Sequence, residues 1–202
     1  IPMFEARSFV AGRWIETESP TVVLDPWSGE AVARAHTASL EQVDEAVAAA
    51  AQAYRAVSRW PAHRRSEVLR KAASFIARDF DQTTRSIMSE NAKSLPSAQV
   101  EVRRVIETLE ASAEAAMALG GEMLPLGASP RGEGKLGFTL RVPVGVVAAI
   151  TPFNSPMNLA AHKLGPAIAA GNAVILKPHP QTPSCNVLLV RALLEAGFPG
   201  EA

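Results

Sequence analysis

Residues 144–177 read VGVVAAITPFNSPMNLAAHKLGPAIAAGNAVILK, and this segment determines the fold class. Val144 to Ile150 is a continuous run of β-branched and small apolar residues, which predicts a strand buried on both faces. Ser155-Pro156 then supplies an N-cap and a first-turn proline for a helix that ends at Gly171-Asn172. Ala173 to Lys177 is a second apolar strand. The β-α-β order predicts two parallel strands joined by a right-handed crossover.

Two polar side chains follow these strands, at the edge where an open α/β sheet binds its ligands. Asn154 comes after the first strand, and Lys177 ends the second. Asn154 also precedes a helix N-terminus, where a fixed amide donor can stabilise an oxyanion. Lys177 can hold ribose hydroxyls or phosphates. The same spacing fits a turn asparagine and a solvated lysine, so the pattern alone leaves both interpretations open.

The residues before about 122 are predicted to form short strands followed by alanine-rich helices. Ser8 to Trp14 has the pattern of a hairpin with its turn at Ala11-Gly12. Ser39 and Gln42 have the spacing of a capping box at the start of a helix. The apolar stripe of that helix consists of Val43, Val47, Ala50, Tyr54 and Val57. A long amphipathic helix is expected from about Ser97 to Leu119.

The segment between the long helix and the β-α-β unit has a different composition. Residues 122–135 are rich in Gly, Pro and Ser, which predicts a loop. Leu136 to Val142 alternates between apolar and polar residues, which predicts an exposed strand or hairpin. Beyond the β-α-β unit, Thr182-Pro183 begins a further helix that ends before Gly197.

The charge balance excludes several classes of protein. The chain has 202 residues with 20 Lys+Arg and 20 Asp+Glu, so its formal net charge is zero. It has no basic excess for nucleic acid and no polybasic arm for a membrane. Its apolar runs are far shorter than the about 20 residues of a membrane-spanning helix. The single cysteine, Cys185, fits a reducing compartment, so we expect a cytoplasmic protein.

Several specific motifs occur in a fixed order along the chain. They are Pro143–Val147, Thr151–Pro156, Lys163–Ala167, Ala170–Asn172, Lys177–Pro183 and Glu195–Pro199. From Phe9 onward the chain resembles the N-terminal part of the aldehyde dehydrogenase superfamily. The resemblance implies an α/β fold, with helices, the start of a Rossmann-like parallel sheet and protruding oligomerisation strands. The implied parts are 1–122 and 144–202 of the cofactor-binding domain, with the oligomerisation strands in 123–143 between them.

The resemblance also implies a reaction and the residues that carry it. Such enzymes oxidise an aldehyde to a carboxylic acid with NAD(P)⁺ through a thioester on a cysteine. Asn154 resembles the catalytic side-chain donor of the oxyanion hole, and Lys177 resembles the lysine that contacts the adenosine ribose. The residues that resemble the wall beside the cofactor are Ile150, Thr151, Pro152 and Phe153. No metal is expected, because the histidines lack the spacing of metal ligands.

The cofactor site departs from the family pattern at one position. The family often has a glutamate three residues after the lysine, where this chain has Pro180. Losing that carboxylate removes its repulsion of a 2′-phosphate, so we expect NAD or NADP, with NADP favoured. His179 assists only when it is protonated. The sequence does not identify the aldehyde, and the side chains expected to approach it are Met157, Asn158 and His162.

The resemblance places the nucleophilic cysteine, the general-base glutamate and a second glycine-rich loop beyond Ala202. Cys185 does not match the nucleophile by position and is predicted to be a small packed residue. We therefore expect a fragment that is inactive alone, taken from a homodimer or homotetramer that binds neither nucleic acid nor a membrane. The alternative is a non-catalytic module that binds a dinucleotide or a partner chain through an exposed sheet edge.

Overall fold

The computed structural model describes residues 3–202, which form nine strands and six α-helices. The N-terminal strands are β1 (Phe4–Ala6), β2 (Ser8–Val10), β3 (Arg13–Ile15), β4 (Thr21–Leu24) and β5 (Ala31–Ala35). Four helices follow: α1 (Leu40–Val57), α2 (Ala62–Arg78), α3 (Phe80–Asn91) and α4 (Leu95–Ala118). The remaining elements are β6 (Met123–Leu124), β7 (Gly137–Phe138), β8 (Val146–Ile150), α5 (Pro156–Ala169), β9 (Ala173–Lys177) and α6 (Pro183–Glu195).

The N-terminal strands form two small sheets. β5 pairs in parallel with β1 and antiparallel with β4. β2 and β3 form the predicted antiparallel hairpin, and its turn places Ala11 and Gly12 at φ 47° and 83°. Glycine adopts such positive φ values without a steric penalty, which explains Gly12 at this turn.

The helices supply most of the hydrophobic core. α4 packs against α2, α3 and α5, and its apolar stripe from Ala98 to Ala116 is fully buried. The capping box of Ser39 and Gln42 at the start of α1 is confirmed. The predicted stripe of α1 is only half correct, because Val43 and Val47 lie in the exposed first half of the helix. In residues 3–202, no helix combines the length and the apolar character needed to cross a membrane.

β8 and β9 are parallel, as the β-α-β order predicted, and α5 connects them. Their register runs from Val146 opposite Ala173 to Ile150 opposite Lys177. Asn172 fixes the entry to β8, since its Oδ1 accepts hydrogen bonds from the backbone N–H of Val144 (2.7 Å) and of Gly145 (3.1 Å). The carboxyl ends of β8 and β9, at Ile150 and Lys177, therefore lie at the same edge of the sheet.

Two strand predictions were wrong in extent. β8 is not buried on both faces: Ala149 is buried, whereas Ala148 and Ile150 on the opposite face are exposed. Both faces of a strand are buried only where a layer covers each of them. Within residues 3–202, no layer covers the face of β8 that carries Ala148 and Ile150. Between Leu136 and Val142, only Gly137–Phe138 pairs, with Met123–Leu124. The rest of that alternating segment finds no partner strand in the described chain.

Candidate functional site

The predicted site residues converge at the carboxyl ends of β8 and β9. Ile150 pairs with Lys177, and the backbone N–H of Thr151 donates to the carbonyl oxygen of Lys177 at 3.2 Å. The loop that carries Asn154 therefore leaves the sheet directly beside Lys177. This is the edge at which open parallel sheets bind nucleotides.

An exposed apolar surface with one cation forms this edge. Ile150 and Phe153 are 63% and 53% exposed, and the Phe153 ring lies 5.2 Å from the His179 ring, centroid to centroid. Lys177 and Pro180 are also exposed. Apolar side chains that remain in solvent beside a single ammonium group are typical of a surface that covers a ligand. We call Ile150, Phe153, Lys177, His179 and Pro180 the rim surface.

Thr151, Pro152 and His179, which were also predicted to contact the cofactor, lie in different environments. Thr151 is buried, so its side chain lies beneath the rim surface and only its neighbours reach solvent. Pro152 is exposed between Thr151 and Phe153. Nδ1 of His179 accepts a hydrogen bond from the backbone N–H of Gln181 at 3.3 Å, so the neutral ring carries its proton on Nε2.

Asn154 lies directly before Ser155, the N-cap residue of α5. Its side chain is exposed, and within residues 3–202 its carboxamide makes no hydrogen bond. Ser155 is the N-cap residue, but its hydroxyl makes no capping hydrogen bond. Oε1 of Glu101 accepts from the backbone N–H groups of Met157 (3.1 Å) and Asn158 (3.2 Å) instead. The predicted cap is therefore replaced by a carboxylate from another helix, and Asn154 remains free to donate to a ligand.

A second buried glutamate caps α6 in the same manner. Glu90 on α3 accepts from the backbone N–H of Ser184 at 3.0 Å and from its hydroxyl at 2.5 Å. Burial raises the pKa of Glu90 from 4.5 to about 7, against the opposing effect of the hydrogen bonds from Ser184 and Cys185. The N-termini of α5 and α6, the two helices that follow the strands, are thus both held by carboxylates from the helical layer.

The raised pKa of Glu90 makes stability depend on pH near neutrality. Ionising this carboxyl costs more in the folded protein than in the unfolded chain, so the free energy of unfolding falls as pH rises from about 4.5 to about 7. The expected fall is about 3 kcal/mol. Glu90→Gln retains an acceptor for Ser184 and should abolish this component, measured as urea unfolding of both proteins at about pH 5 and pH 8. An equal pH dependence in the two proteins would contradict the assignment.

Cys185 is fully buried at the start of α6, as the sequence predicted. Its Sγ lies 3.7 Å from the carbonyl oxygen of Thr182. Burial, together with the nearby Glu90 and Glu101, raises the pKa of the thiol well above its usual value. A reactive cysteine requires an accessible thiolate, so this residue is structural.

Two spaces lie between α4 and α5. A cavity of about 90 Å³ next to Ser155 and Asn158 is lined on its α4 side by Glu101 and Arg104. An open groove of about 500 Å³ is lined by Arg104, which borders both spaces, and by His162. Thr108 reaches two polar residues of α5, with Oγ1 3.4 Å from Asn158 Oδ1 and 3.5 Å from His162 Nε2. Of the residues expected to approach a substrate, Asn158 and His162 line these spaces, whereas Met157 is packed in the core.

Comparison with known proteins identifies the family. The sequence model of the aldehyde dehydrogenase family matches residues 14–202. The chain belongs to this family. It is 41% identical over 95% of its length to a 3-sulfolactaldehyde dehydrogenase of Priestia aryabhattai, and 42% identical over 88% to an aspartate-semialdehyde dehydrogenase of Pseudomonas canavaninivorans. These matches cover 40% and 38% of those proteins.

A solved structure gives the same result for the fold. The chain superposes with a TM-score of 0.94 and 34% identity on an NADP-dependent glyceraldehyde-3-phosphate dehydrogenase from Bacillus halodurans C-125 complexed with NADP. The match covers 98% of this chain and 43% of that one. The chain therefore has the mixed α/β fold of the N-terminal portion of an aldehyde dehydrogenase, and it spans about two fifths of the length of the family members it matches.

The roles of the two capping glutamates, Glu90 and Glu101, were not predicted from the sequence. Glu101 does interrupt the buried stripe of α4 between Ala98 and Val105, and an acidic residue at a core position is a signal that its carboxylate has a buried partner. Glu90 lies on the buried face of α3 beside Ile87 and gives the same signal. Neither pattern names the partner, because the partners lie more than 50 residues away along the chain.

Proposed function

We propose that this chain is the N-terminal, cofactor-binding part of an NAD(P)⁺-dependent aldehyde dehydrogenase. The observation that carries the proposal is the pairing of Ile150 with Lys177 in parallel strands, which brings the Asn154 loop and the rim surface to one edge of the sheet. A carboxamide without a protein partner and an ammonium group stand there together. This combination suits a reacting carbonyl and a nucleotide bound side by side.

In this proposal Asn154 acts on the carbonyl oxygen of the aldehyde. Its amide N–H donates to the oxygen as negative charge develops there, and the N-terminus of α5 adds its positive dipole. The cofactor, when bound, supplies the hydride acceptor. Lys177 holds the ribose, while Ile150 and Phe153 exclude water from one side of the nucleotide. In this proposal the buried Cys185 is not the nucleophile, and the reactive cysteine is expected outside these 202 residues, as the family resemblance implies.

We propose that NADP⁺ is accepted at least as well as NAD⁺. Pro180 is exposed on the rim surface three residues after Lys177, and it presents no charge toward a 2′-phosphate. Pro180→Glu is expected to lower kcat/KM for NADP⁺ about tenfold through like-charge repulsion, with kcat/KM for NAD⁺ nearly unchanged. Initial rates with each cofactor in the full-length protein measure both values.

Gln181→Glu is the matched control for this experiment, because it places the same charge one residue further along the exposed loop. It should change the ratio of the two kcat/KM values less than Pro180→Glu does, because its charge is expected to lie further from the 2′-phosphate. A strong preference of the unaltered protein for NAD⁺, or an equal effect of both substitutions, would contradict the role of Pro180.

We propose that the aldehyde carries an anionic group at its far end. Arg104 lines both the cavity beside Ser155 and the groove between α4 and α5, which Glu107 also lines, and within residues 3–202 its guanidinium forms no ion pair. A free guanidinium in a groove suits a carboxylate, sulfonate or phosphate. The names of the two relatives and the solved structure described above also denote aldehydes that bear such groups.

We also propose that the protein assembles into a homo-oligomer and is located in the cytoplasm. Residues 123–143 are proposed to form the oligomerisation strands of a homodimer or homotetramer, between the two parts of the cofactor-binding domain in 1–122 and 144–202. The apolar side chains of this segment stand in solvent, among them Met123, Phe138, Leu140 and Val142. Contiguous exposed apolar residues are typical of an interface. A reduced Cys185 is in keeping with a cytoplasmic location.

Two experiments test the proposed function. Sequencing the coding region downstream of Ala202 should reveal a cysteine and a glutamate in family context, whereas a natural stop codon would favour a non-catalytic dinucleotide-binding or partner-binding module. The full-length protein is then assayed with a panel of acidic and neutral aldehydes by following the reduced cofactor. The proposal predicts oxidation, with lower KM values for the acidic aldehydes. No reduced cofactor with any aldehyde would contradict it.

A further inference from the structure

Three side chains on or just before the first turns of α4 contact the residues that flank Asn154, two of them at backbone atoms and one at a side chain. Nδ2 of Asn91 donates to the carbonyl oxygen of Phe153, directly before Asn154. Nζ of Lys93 lies 3.5 Å from Oγ of Ser155, directly after it. Glu101 accepts from the backbone N–H groups that follow at positions 157 and 158. The segment is therefore held on both sides of Asn154 by residues that lie more than 50 positions earlier in the chain.

Burial and charge make these contacts specific. The side chain of Glu101 is 4% exposed and that of Lys93 is 17% exposed, and Lys93 Nζ forms an ion pair with Oε2 of Glu101. The carboxylate thus uses one oxygen for the ammonium group and the other for the helix N-terminus. A buried carboxylate is stable only when both oxygens have such partners, so its position is closely defined.

The backbone reverses direction between Asn91 and Lys93, the two residues that contact Phe153 and Ser155. Ala92 ends α3 in the left-handed region, at φ 51°. A non-glycine residue in this region carries a steric cost, which the surrounding contacts must offset. The reversal at Ala92 lets the side chains on both sides of it reach the same loop. Strain of this kind is often retained where it serves a site.

We propose that Asn91, Lys93 and Glu101 are positioning residues that fix the oxyanion donor Asn154. The inference rests on the proposed function, in which Asn154 donates to the carbonyl oxygen. Asn154 has no hydrogen bond of its own within residues 3–202, so the direction of its carboxamide depends on the backbone at Phe153 and Ser155. We call the three residues the clamp. They need not touch the substrate, because they act through the residues that flank Asn154.

The test is a double-mutant cycle in the full-length protein. Glu101→Gln keeps the size of the side chain and one acceptor oxygen but removes the charge that pairs with Lys93 and the helix dipole. It should lower kcat about 10- to 100-fold, since small misplacements of a catalytic group have effects of this size. KM for the aldehyde should change little. In an Asn154→Ala background, the same substitution should lower kcat less than about twofold.

A matched control separates positioning from a general change in charge. Glu110 lies on α4 as well, is exposed, and has no ion pair within residues 3–202. Glu110→Gln removes the same charge from the same helix and should leave kcat unchanged in both backgrounds. Asn91→Ala gives a milder version of the test, because it removes a single hydrogen bond near the surface, and its effect should also vanish in the Asn154→Ala background.

The outcomes distinguish the two proposals. If the kcat of the double variant falls by the product of the two single-variant reductions, Glu101 and Asn154 act independently. That result would overturn the proposal that Glu101 positions Asn154. If the Glu101 variant does not fold, Asn91→Ala takes its place in the cycle. Independent effects of Asn91→Ala and Asn154→Ala on kcat would then overturn the proposal in the same way. An Asn154→Ala protein with unaltered kcat would instead refute the oxyanion role itself, and with it the proposed function. Restoration of kcat by Glu101→Asp toward the wild-type value would support positioning by the charge.

Discussion

Asn154→Ala is expected to lower kcat for aldehyde oxidation by about 10²–10³-fold in the full-length protein. The carboxamide stands exposed before the N-terminus of α5, and without it one fixed donor to the developing oxyanion is lost. The binding of the uncharged carbonyl depends less on this donor. KM for the aldehyde should therefore change little compared with kcat, and initial rates at saturating cofactor measure both constants.

Gln181→Ala is the control for this experiment. Like Asn154, Gln181 carries an exposed carboxamide in a loop that precedes a helix, here α6. Its side chain also makes no hydrogen bond within residues 3–202. Its removal should leave kcat within about twofold of the wild type. If Asn154→Ala retains full kcat, or if both substitutions lower it equally, Asn154 is not an oxyanion donor.

Lys177→Ala is expected to weaken the apparent affinity for NADP⁺ by about 10- to 100-fold. A hydrogen bond from a charged group to ribose or phosphate contributes about 1.5–3 kcal/mol. Because Lys177 is proposed to contact the adenosine ribose and not the reacting carbon, kcat at saturating cofactor should stay within about threefold. Fluorescence titration with the reduced cofactor gives the affinity, and initial rates give kcat.

Two variants control for the loss of charge. Lys177→Arg keeps the cation and should recover most of the affinity, although the geometry of guanidinium differs from that of ammonium. Lys135→Ala removes an exposed lysine from the segment between β6 and β7 and should have no effect on cofactor affinity. If Lys177→Ala binds NADP⁺ as the wild type does, the rim surface is not the nucleotide site.

The local features of the site were predictable from sequence because each depends on neighbouring residues. The apolar run to Ile150 predicted a strand, and Pro156 predicted the start of α5. The β-α-β order then required parallel strands, which places Asn154 and Lys177 at one edge without any further information. Cys185 was predicted to be a small packed residue because it does not match the nucleophile of the resembling family by position and a lone cysteine is most often packed.

Features that depend on distant residues were not predictable. Ser155 was expected to cap α5, but Glu101 does so from another helix. The exposed face of Ile150 was expected to be covered, and its exposure depends on how the helices pack on the sheet. The acidic residues in buried stripes indicated that contacts of this kind exist. Only the tertiary structure shows that they meet the N-termini of α5 and α6.

The most direct test of the central claim is a crystal structure of the full-length protein with NADP⁺ bound. The account predicts that Lys177 Nζ lies within about 3.2 Å of a ribose or phosphate oxygen, with the nucleotide on Ile150 and Phe153. It also predicts that the Asn154 carboxamide faces the space beside the nicotinamide ring. A nucleotide bound away from the carboxyl ends of β8 and β9, or an Asn154 side chain directed into the protein, would contradict it.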